Sequence, residues 1–351
     1  METKNSAPER PLRPGDVVEV RPAAEILATL DGDAVDRMPF MPEMLRHVGR
    51  RYTVSRRVDK ICDTVGSTGS RRLTSTVYLE DLRCDGSAHG GCQAGCRLYW
   101  KEDWLRRVDG SDRAVDVGQQ PSRELAEVTE AGTRTVRAGD TEEVWRCQNT
   151  EALAATTHLR VFKDPGQYWR EFRNGNYGAL RFVRLMARAL VMEVAHRLGL
   201  TSQLPLRGRE PKAPETEPLD LQPGELVQVR SPEEIQATLD DHGHHRGLSF
   251  DREMLRYCGR TLRVKARVNR LIDESTGRMV HIKRDCIILE GSVCSGECST
   301  GRWFCPREIY PYWREAWLKR VEDPAPAAPS TREHAMDGVG EAQPVGAPDL
   351  A

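Results

Sequence analysis

Three cysteines and a histidine crowd into one short run, Cys84, His89, Cys92 and Cys96, spaced C-x4-H-x2-C-x3-C. Three thiols and an imidazole are the donor set of a Cys3His zinc site, because zinc takes four sulfur or nitrogen ligands in a tetrahedron. Gly86, Gly90, Gly91 and Gly95 let the backbone wrap tightly around one ion. A second cluster, Cys294, Cys298 and Cys305, lacks the histidine. Its fourth donor could be Cys286, which stands at even spacing from Cys294 and so shares a strand face with it, or Cys258. Cys147 sits in the polar run Trp145–Thr150. It reads as a further ligand, as a reactive thiol beside positive charge, or as a packing residue. With Cys147 the first cluster offers four thiolates, the usual demand of an iron–sulfur centre, so zinc has an iron–sulfur cluster as its alternative. The competing reading for all of these is free buried thiols, since cysteine packs as a small hydrophobe, with His89 an exposed loop residue.

A second kind of chemistry is anion binding. Arg56 and Arg57 lie on one candidate strand, and Arg263, Lys265 and Arg267 share one face of another, opposite Leu262, Val264 and Val268. Such faces suit a polyanion, nucleic acid included, or a protein partner. Against this, the net charge is -1, so any attraction must come from local patches rather than a global field. His242, His244 and His245 read as a solvated turn. Trp100, Trp104, Trp313 and Trp317 read as core anchors.

The elements that must position these residues occur twice. Pro14-Gly-Asp-Val-Val-Glu-Val-Arg21 returns as Pro223-Gly-Glu-Leu-Val-Gln-Val-Arg230. Phe40 and Glu43–Arg46 return as Phe250 and Glu253–Arg256, Cys84 as Cys294, and the tryptophan pair as Trp313 and Trp317. Ordered matches of this kind indicate an internal duplication. Each copy predicts a strand over 16–21, a short helix over 23–30 and another over 42–48. Strands over 52–61 and 73–82 follow, then the cysteine run. The chain therefore reads as α+β: two repeated small β-rich domains, SH3-like barrels with helical insertions, joined by a mostly helical middle segment. The boundaries are a disordered start at 1–13, repeat 1 at 14–108, a loose connector at 109–140 and a helical segment at 141–200. A Pro-rich linker at 201–222, repeat 2 at 223–322 and a disordered tail at 323–351 complete the chain. Within the middle segment, 142–155 and 165–173 read as helical. The strongest helix, 177–200, is expected to pack a stripe of Leu180, Val183, Leu185, Met186, Leu190 and Val194 on the domains, with membrane-surface binding as the lesser reading.

The first residues lack the apolar core of a signal peptide, and no long uncharged apolar run exists. The expectation is a cytoplasmic protein without membrane insertion, in which clustered cysteines serve metal chemistry rather than disulfides. Walker A, G-x-G-x-x-G, H-E-x-x-H and G-x-S-x-G motifs are all missing, which lowers the expectation of an enzyme without excluding a metal-dependent one.

The run Leu82–Cys96 with Trp100-Lys-Glu-Asp-Trp104, together with Arg146–Glu151 and Arg173–Asn176, resembles an uncharacterised bacterial family of Cys-rich proteins. That resemblance implies no activity, and the second cluster departs from the run. The reading is a metal-binding, zinc-first tandem module whose basic strands meet a polyanionic or protein partner. The alternative is a metal- or iron–sulfur-dependent enzyme or accessory factor in a biosynthetic pathway.

Overall fold

The two matched segments use the same pairing scheme. In the computed structural model, Val17–Val20 lies between Arg51–Arg57 and Leu105–Arg107, all antiparallel, and Thr76–Leu79 and Trp100–Lys101 extend the sheet to five strands. In the C-terminal segment, Leu226–Val229 lies between Thr261–Arg267 and Leu318–Arg320, with Ile287–Leu289 completing four. The register slips once in each sheet, between Val54 and Arg56 and between Val264 and Ala266. Such slips bend a strand and raise its local twist. The chain is thus a mixture of helices and several small antiparallel sheets. Among the described residues these sheets remain open, and the expected barrel closure is not found. The structure describes residues 10–66, 69–108, 122–137, 139, 141–160, 164–200 and 204–322. Residues 1–9, 109–121 and 323–351, read from sequence as loose start, connector and tail, lie outside them. Residues 10–321 belong to one compact unit.

Alternation sets the cores. Val18 and Val20 face inward and Glu19 faces out to Arg51 and Arg106; Val227 and Val229 repeat the inward positions. Phe40 meets Trp100 and Trp104 edge-on at centroid distances of 6.2 and 5.1 Å. Phe250 meets Trp313 and Trp317 at 6.2 and 5.3 Å. Edge-to-face contacts of this kind add about 1 kcal/mol beyond area burial. All four tryptophans are fully buried.

Three expectations for the middle of the chain change. The connector contains a helix, Arg123–Ala131, capped by Ser122, and a strand, Arg134–Val136. That strand pairs with Glu143–Trp145, where a helix was read; β-branched and aromatic residues at Val144 and Trp145 suit a strand. Residues 166–173 are helical as read. The helix Ala179–Arg197 forms but turns a different face inward: Leu185, Ala189 and Glu193 are buried, whereas Leu180, Val183, Leu190 and Val194 are exposed. A polar anchor overrides the apolar stripe. The Glu193 carboxylate accepts hydrogen bonds from the Gly301 N–H and from Trp303 Nε1 (2.8 Å), and Arg181 pairs with Glu297. No helix among the described residues is long and apolar enough to cross a membrane.

The predicted strand 52–61 breaks at Val58–Asp59. There Asn176 substitutes for a neighbouring strand, accepting from the Arg57 N–H at 2.9 Å and donating to its carbonyl at 2.8 Å. Asn176 also donates to the buried Glu171 (2.8 Å). Burial pushes the Glu171 carboxyl up to about 7 from 4.5, although Lys60 nearby opposes the shift. A raised carboxyl means the folded chain keeps a proton that the unfolded chain releases. Stability should therefore fall as pH rises from about 4.5 to 7, by on the order of 3 kcal/mol. Glu171→Gln should flatten that window in denaturant titrations at pH 5 and 7.5. An unchanged pH slope would assign the loss elsewhere.

Candidate metal centre

The run from Cys84 to Cys96 closes on itself. The Cys84 N–H donates to the Cys96 carbonyl at 2.8 Å, and the N–H groups of His89 and Gly91 both end on the Gly86 carbonyl. Gly86 has φ +70°, and a Cβ there would stand 2.1 Å from the Cys92 carbonyl oxygen. Only glycine permits both the left-handed turn and the close backbone approach that bring Cys92 back beside Cys84.

His89 is buried and faces an acceptor at each ring nitrogen: Glu43 Oε1 at 2.7 Å from Nδ1 and the Arg146 carbonyl at 3.0 Å from Nε2. Glu43 comes from the 3-10 turn Pro42–His47. Its Oε1 also accepts the Ala88 N–H (3.2 Å), while its buried Oε2 has no hydrogen-bond partner. Burial pushes the Glu43 carboxyl up, but the His89 hydrogen bond and charge outweigh it and the net shift is downward. The ligand atoms of Glu43, Cys84 and His89 lie within 4.8 Å of one another, so this group could hold a metal ion.

Cys147 arrives from the middle segment. Gln148, buried beside it, exchanges two 2.8 Å hydrogen bonds with the backbone of Tyr99 and donates to the Pro39 carbonyl at 3.0 Å. Thr150 Oγ1 accepts the Cys147 N–H at 2.9 Å. Arg146 pairs with Asp33. These contacts present the Cys147 thiol to the first cluster: Cys84, His89, Cys92, Cys96 and Cys147 line one cavity of ≈ 30 Å³ with Met41 and Ile272. That space suits a water or a single ion. Burial pushes the Cys84 and Cys96 thiols well up, and the Cys147 thiol to about 11.

The second cluster is sorted differently from its sequence. The Cys294 N–H donates to the Ile309 carbonyl at 2.8 Å, the bond Cys84 makes to Cys96. Gly296 (φ +67°) would place a Cβ 2.4 Å from the Cys305 carbonyl oxygen, as Gly86 would against Cys92. Glu253 caps the loop, accepting from the N–H groups of Ser295 and Cys298 and the hydroxyls of Ser295 and Ser299. Cys294 and Cys305 line a cavity of ≈ 160 Å³, and Cys62 joins them there from the N-terminal segment. The Cys62 N–H donates to Cys305 Sγ at 3.1 Å; the side-chain hydrogen bond to Cys305 moves the Cys62 thiol down, while burial and Cys62 push the Cys305 thiol up. Cys298 instead faces Arg188 Nη2 at 3.2 Å, and Cys286 is buried in an apolar cluster with Val268, Ile288 and Tyr310. Cys258 packs against the C-terminal core. Cys62 was missed as a site residue. Its signal was positional: against the second segment it aligns with Ile272, an unmatched thiol inside a matched strand.

The basic side chains are largely committed inside the protein. Arg57 pairs with Asp59 (3.0 Å) and Glu102, Arg56 with Glu308 (3.2 Å), and Arg267 with Glu315 (2.6 Å). Arg263 donates to the Gly224 carbonyl, and Lys265 is exposed with its ammonium 5.2 Å from the Tyr310 ring centroid. In the histidine turn, His245 is buried, with Nδ1 2.7 Å from the Thr238 carbonyl. No family model matches the sequence, and no curated protein matches it.

Gly86→Ala should cost about 2 kcal/mol or more from the left-handed backbone alone, and more from the Cys92 clash. Gly32→Ala has a similar φ (+67°) in open space and isolates the backbone cost. Equal losses in the two variants by denaturant unfolding would mean that the Gly86–Cys92 approach is not needed.

Proposed function

We propose that the chain is a metal-stabilised scaffold in which Cys84, Cys92, Cys96 and Cys147 hold one zinc ion in a closed, structural site. The observation that carries this reading is one cavity of ≈ 30 Å³ lined by four cysteines from two separate stretches of chain. Zinc accepts four sulfurs in a tetrahedron, and a site with four protein ligands leaves no position for a substrate. In this reading His89 is a positioning residue rather than a ligand. It ties Glu43 to the Arg146 carbonyl and so holds Cys147 against the run. The orphaned Glu43 Oε2 adds negative potential near Cys84, which favours a cation. The ten free cysteines fit a reducing compartment such as the cytoplasm. The polyanion reading gains little, because Arg56, Arg57 and Arg267 already face carboxylates.

Removing the ion should destabilise the chain, since binding energy at such a site is folding energy. Chelation should lower the thermal midpoint by several degrees, about 2 °C for each kcal/mol lost at this size. X-ray absorption on the zinc form of a Cys62→Ser chain should show four sulfurs near 2.3 Å, and Cys147→Ser should lose one ion per chain while His89→Gln keeps it. A nitrogen shell at about 2.0 Å that disappears in His89→Gln would make His89 the fourth ligand. Iron with sulfide in anaerobically purified protein would replace the structural reading with the iron–sulfur alternative.

A further inference from the structure

The two segments exchange a cysteine and an isoleucine across their contact. Cys96 and Ile309 occupy the same place, each giving its carbonyl to the first cysteine of its own run. Cys62 and Ile272 also occupy the same place, at the ends of the strands Lys60–Cys62 and Arg270–Ile272. Each of these strands reaches over the other segment's cluster. The Cys62 N–H donates to Cys305 Sγ (3.1 Å), and the Ile272 N–H donates to Cys92 Sγ (3.4 Å). The first cluster therefore has a cysteine from its own run and an isoleucine from across. The second has the isoleucine at 309 and receives its cysteine from across. A thiol missing from one position is restored from the opposite side of the same cavity.

We propose that Cys62, Cys294 and Cys305 form a second metal site, a three-thiolate centre for a thiophilic divalent cation such as zinc, with its fourth position open to a small ligand from the adjoining cavity. Three observations besides the exchange support it. Gly296 makes the same left-handed turn against the Cys305 backbone that Gly86 makes against the Cys92 backbone, so both loops fold back at the same place. Three thiolates around a dication carry a net charge of about −1 by formal count, and cations stand beside them. Arg302 lines the cavity together with Asp251 and Glu253, and Arg307, buried and paired with Glu274 (2.7 Å), donates to the Cys62 carbonyl at 3.3 Å and to Thr64 Oγ1 at 2.9 Å. The third is the donor count in this cavity of ≈ 160 Å³. Among the described residues no fourth thiol lines it: Cys298 faces Arg188, and the position of Cys96 is an isoleucine. Three protein ligands with an adjoining space are the arrangement of a metal centre that binds an exogenous ligand, whereas four protein ligands close it. Water, an imidazole or a small thiol fits that position.

This site stands independently of the four-thiol site, and variants separate the two. The full-length chain, purified reduced and without a histidine tag, should bind two zinc ions. Cys62→Ser should bind one and keep the four-sulfur absorption signature, and Cys147→Ser should bind one at the second site. In the cobalt form of Cys147→Ser, added azide or imidazole should shift the visible d–d bands; in cobalt-loaded Cys62→Ser it should not. Ile309→Cys should supply a fourth thiol, tighten zinc against a chromophoric chelator and abolish the azide shift in the Cys147→Ser background. A Cys62→Ser chain that still binds two ions overturns the proposal, as does a Cys62–Cys305 disulfide in the reduced preparation. A Cys147→Ser cobalt spectrum indifferent to every added ligand overturns the open position. Should Cys62→Ser fail to fold, alkylation of the unsubstituted chain decides: zinc removal must speed modification of Cys62 and Cys305 while leaving Cys286 unchanged, and equal rates with and without zinc overturn the site.

Discussion

Two backbone N–H groups, one from each segment, end on a sulfur of the other. Cys62 donates to Cys305 and Ile272 donates to Cys92. Sulfur is a weak acceptor when neutral and a strong one when ionised, so each bond gains strength as the thiol loses its proton. The surrounding contacts follow the same crossing. Gln93 accepts the N–H groups of Asn269 and Arg270 (2.7 and 3.1 Å) and gives its own N–H to the Arg270 carbonyl. On the other side, Glu308 pairs with Arg56 and Arg97, and its carbonyl takes Arg83 at 3.2 Å. Residues 10–321 are one unit because each segment completes the loop of the other.

Carboxylates provide the second common device. Glu43 and Glu253 each sit buried on a 3-10 turn and gather the first half of the neighbouring cysteine loop. Glu102 and Glu315 each hold an arginine of the long bent strand, Arg57 and Arg267, and also accept backbone N–H groups of the segment's entry, at Leu12 and at Leu219 to Leu221. A buried carboxylate that lost its arginine would remain an uncompensated charge, a cost of about 3–5 kcal/mol. Alternating basic residues on a strand therefore serve internal closure here.

Much of this was legible in the amino-acid order, and the divisions are physical. The strands and the tryptophan–phenylalanine cages follow from alternation and from paired aromatics, which are local signals. The first cluster was legible because its donors are close in sequence. Cys147 could be suspected from its polar neighbours, but its delivery depends on Gln148 finding the Tyr99 backbone, a contact between distant residues. Cys62 was hidden for the same reason, and Cys298 and Cys286 drew attention only through sequence proximity. The helix Ala179–Arg197 was legible as a helix but not in its rotation, because one buried carboxylate, Glu193, outweighed a stripe of aliphatic residues.

The crossing has a consequence for synthesis. Cys62 precedes the sulfur it meets by 243 residues, and Cys92 precedes Ile272 by 180. A chain made from its N-terminus forms the first sheet early, since domains fold roughly as they emerge. Cys62 and Cys92 must then wait for translation of the second segment before their crossing partners, Cys305 and Ile272, arrive. Through that interval the sulfurs are solvent-accessible nucleophiles, open to oxidation. Late, long-range closure also places this step among the slow ones of folding. The same covering that hides the thiols in the finished protein makes the nascent chain its most oxidation-sensitive form.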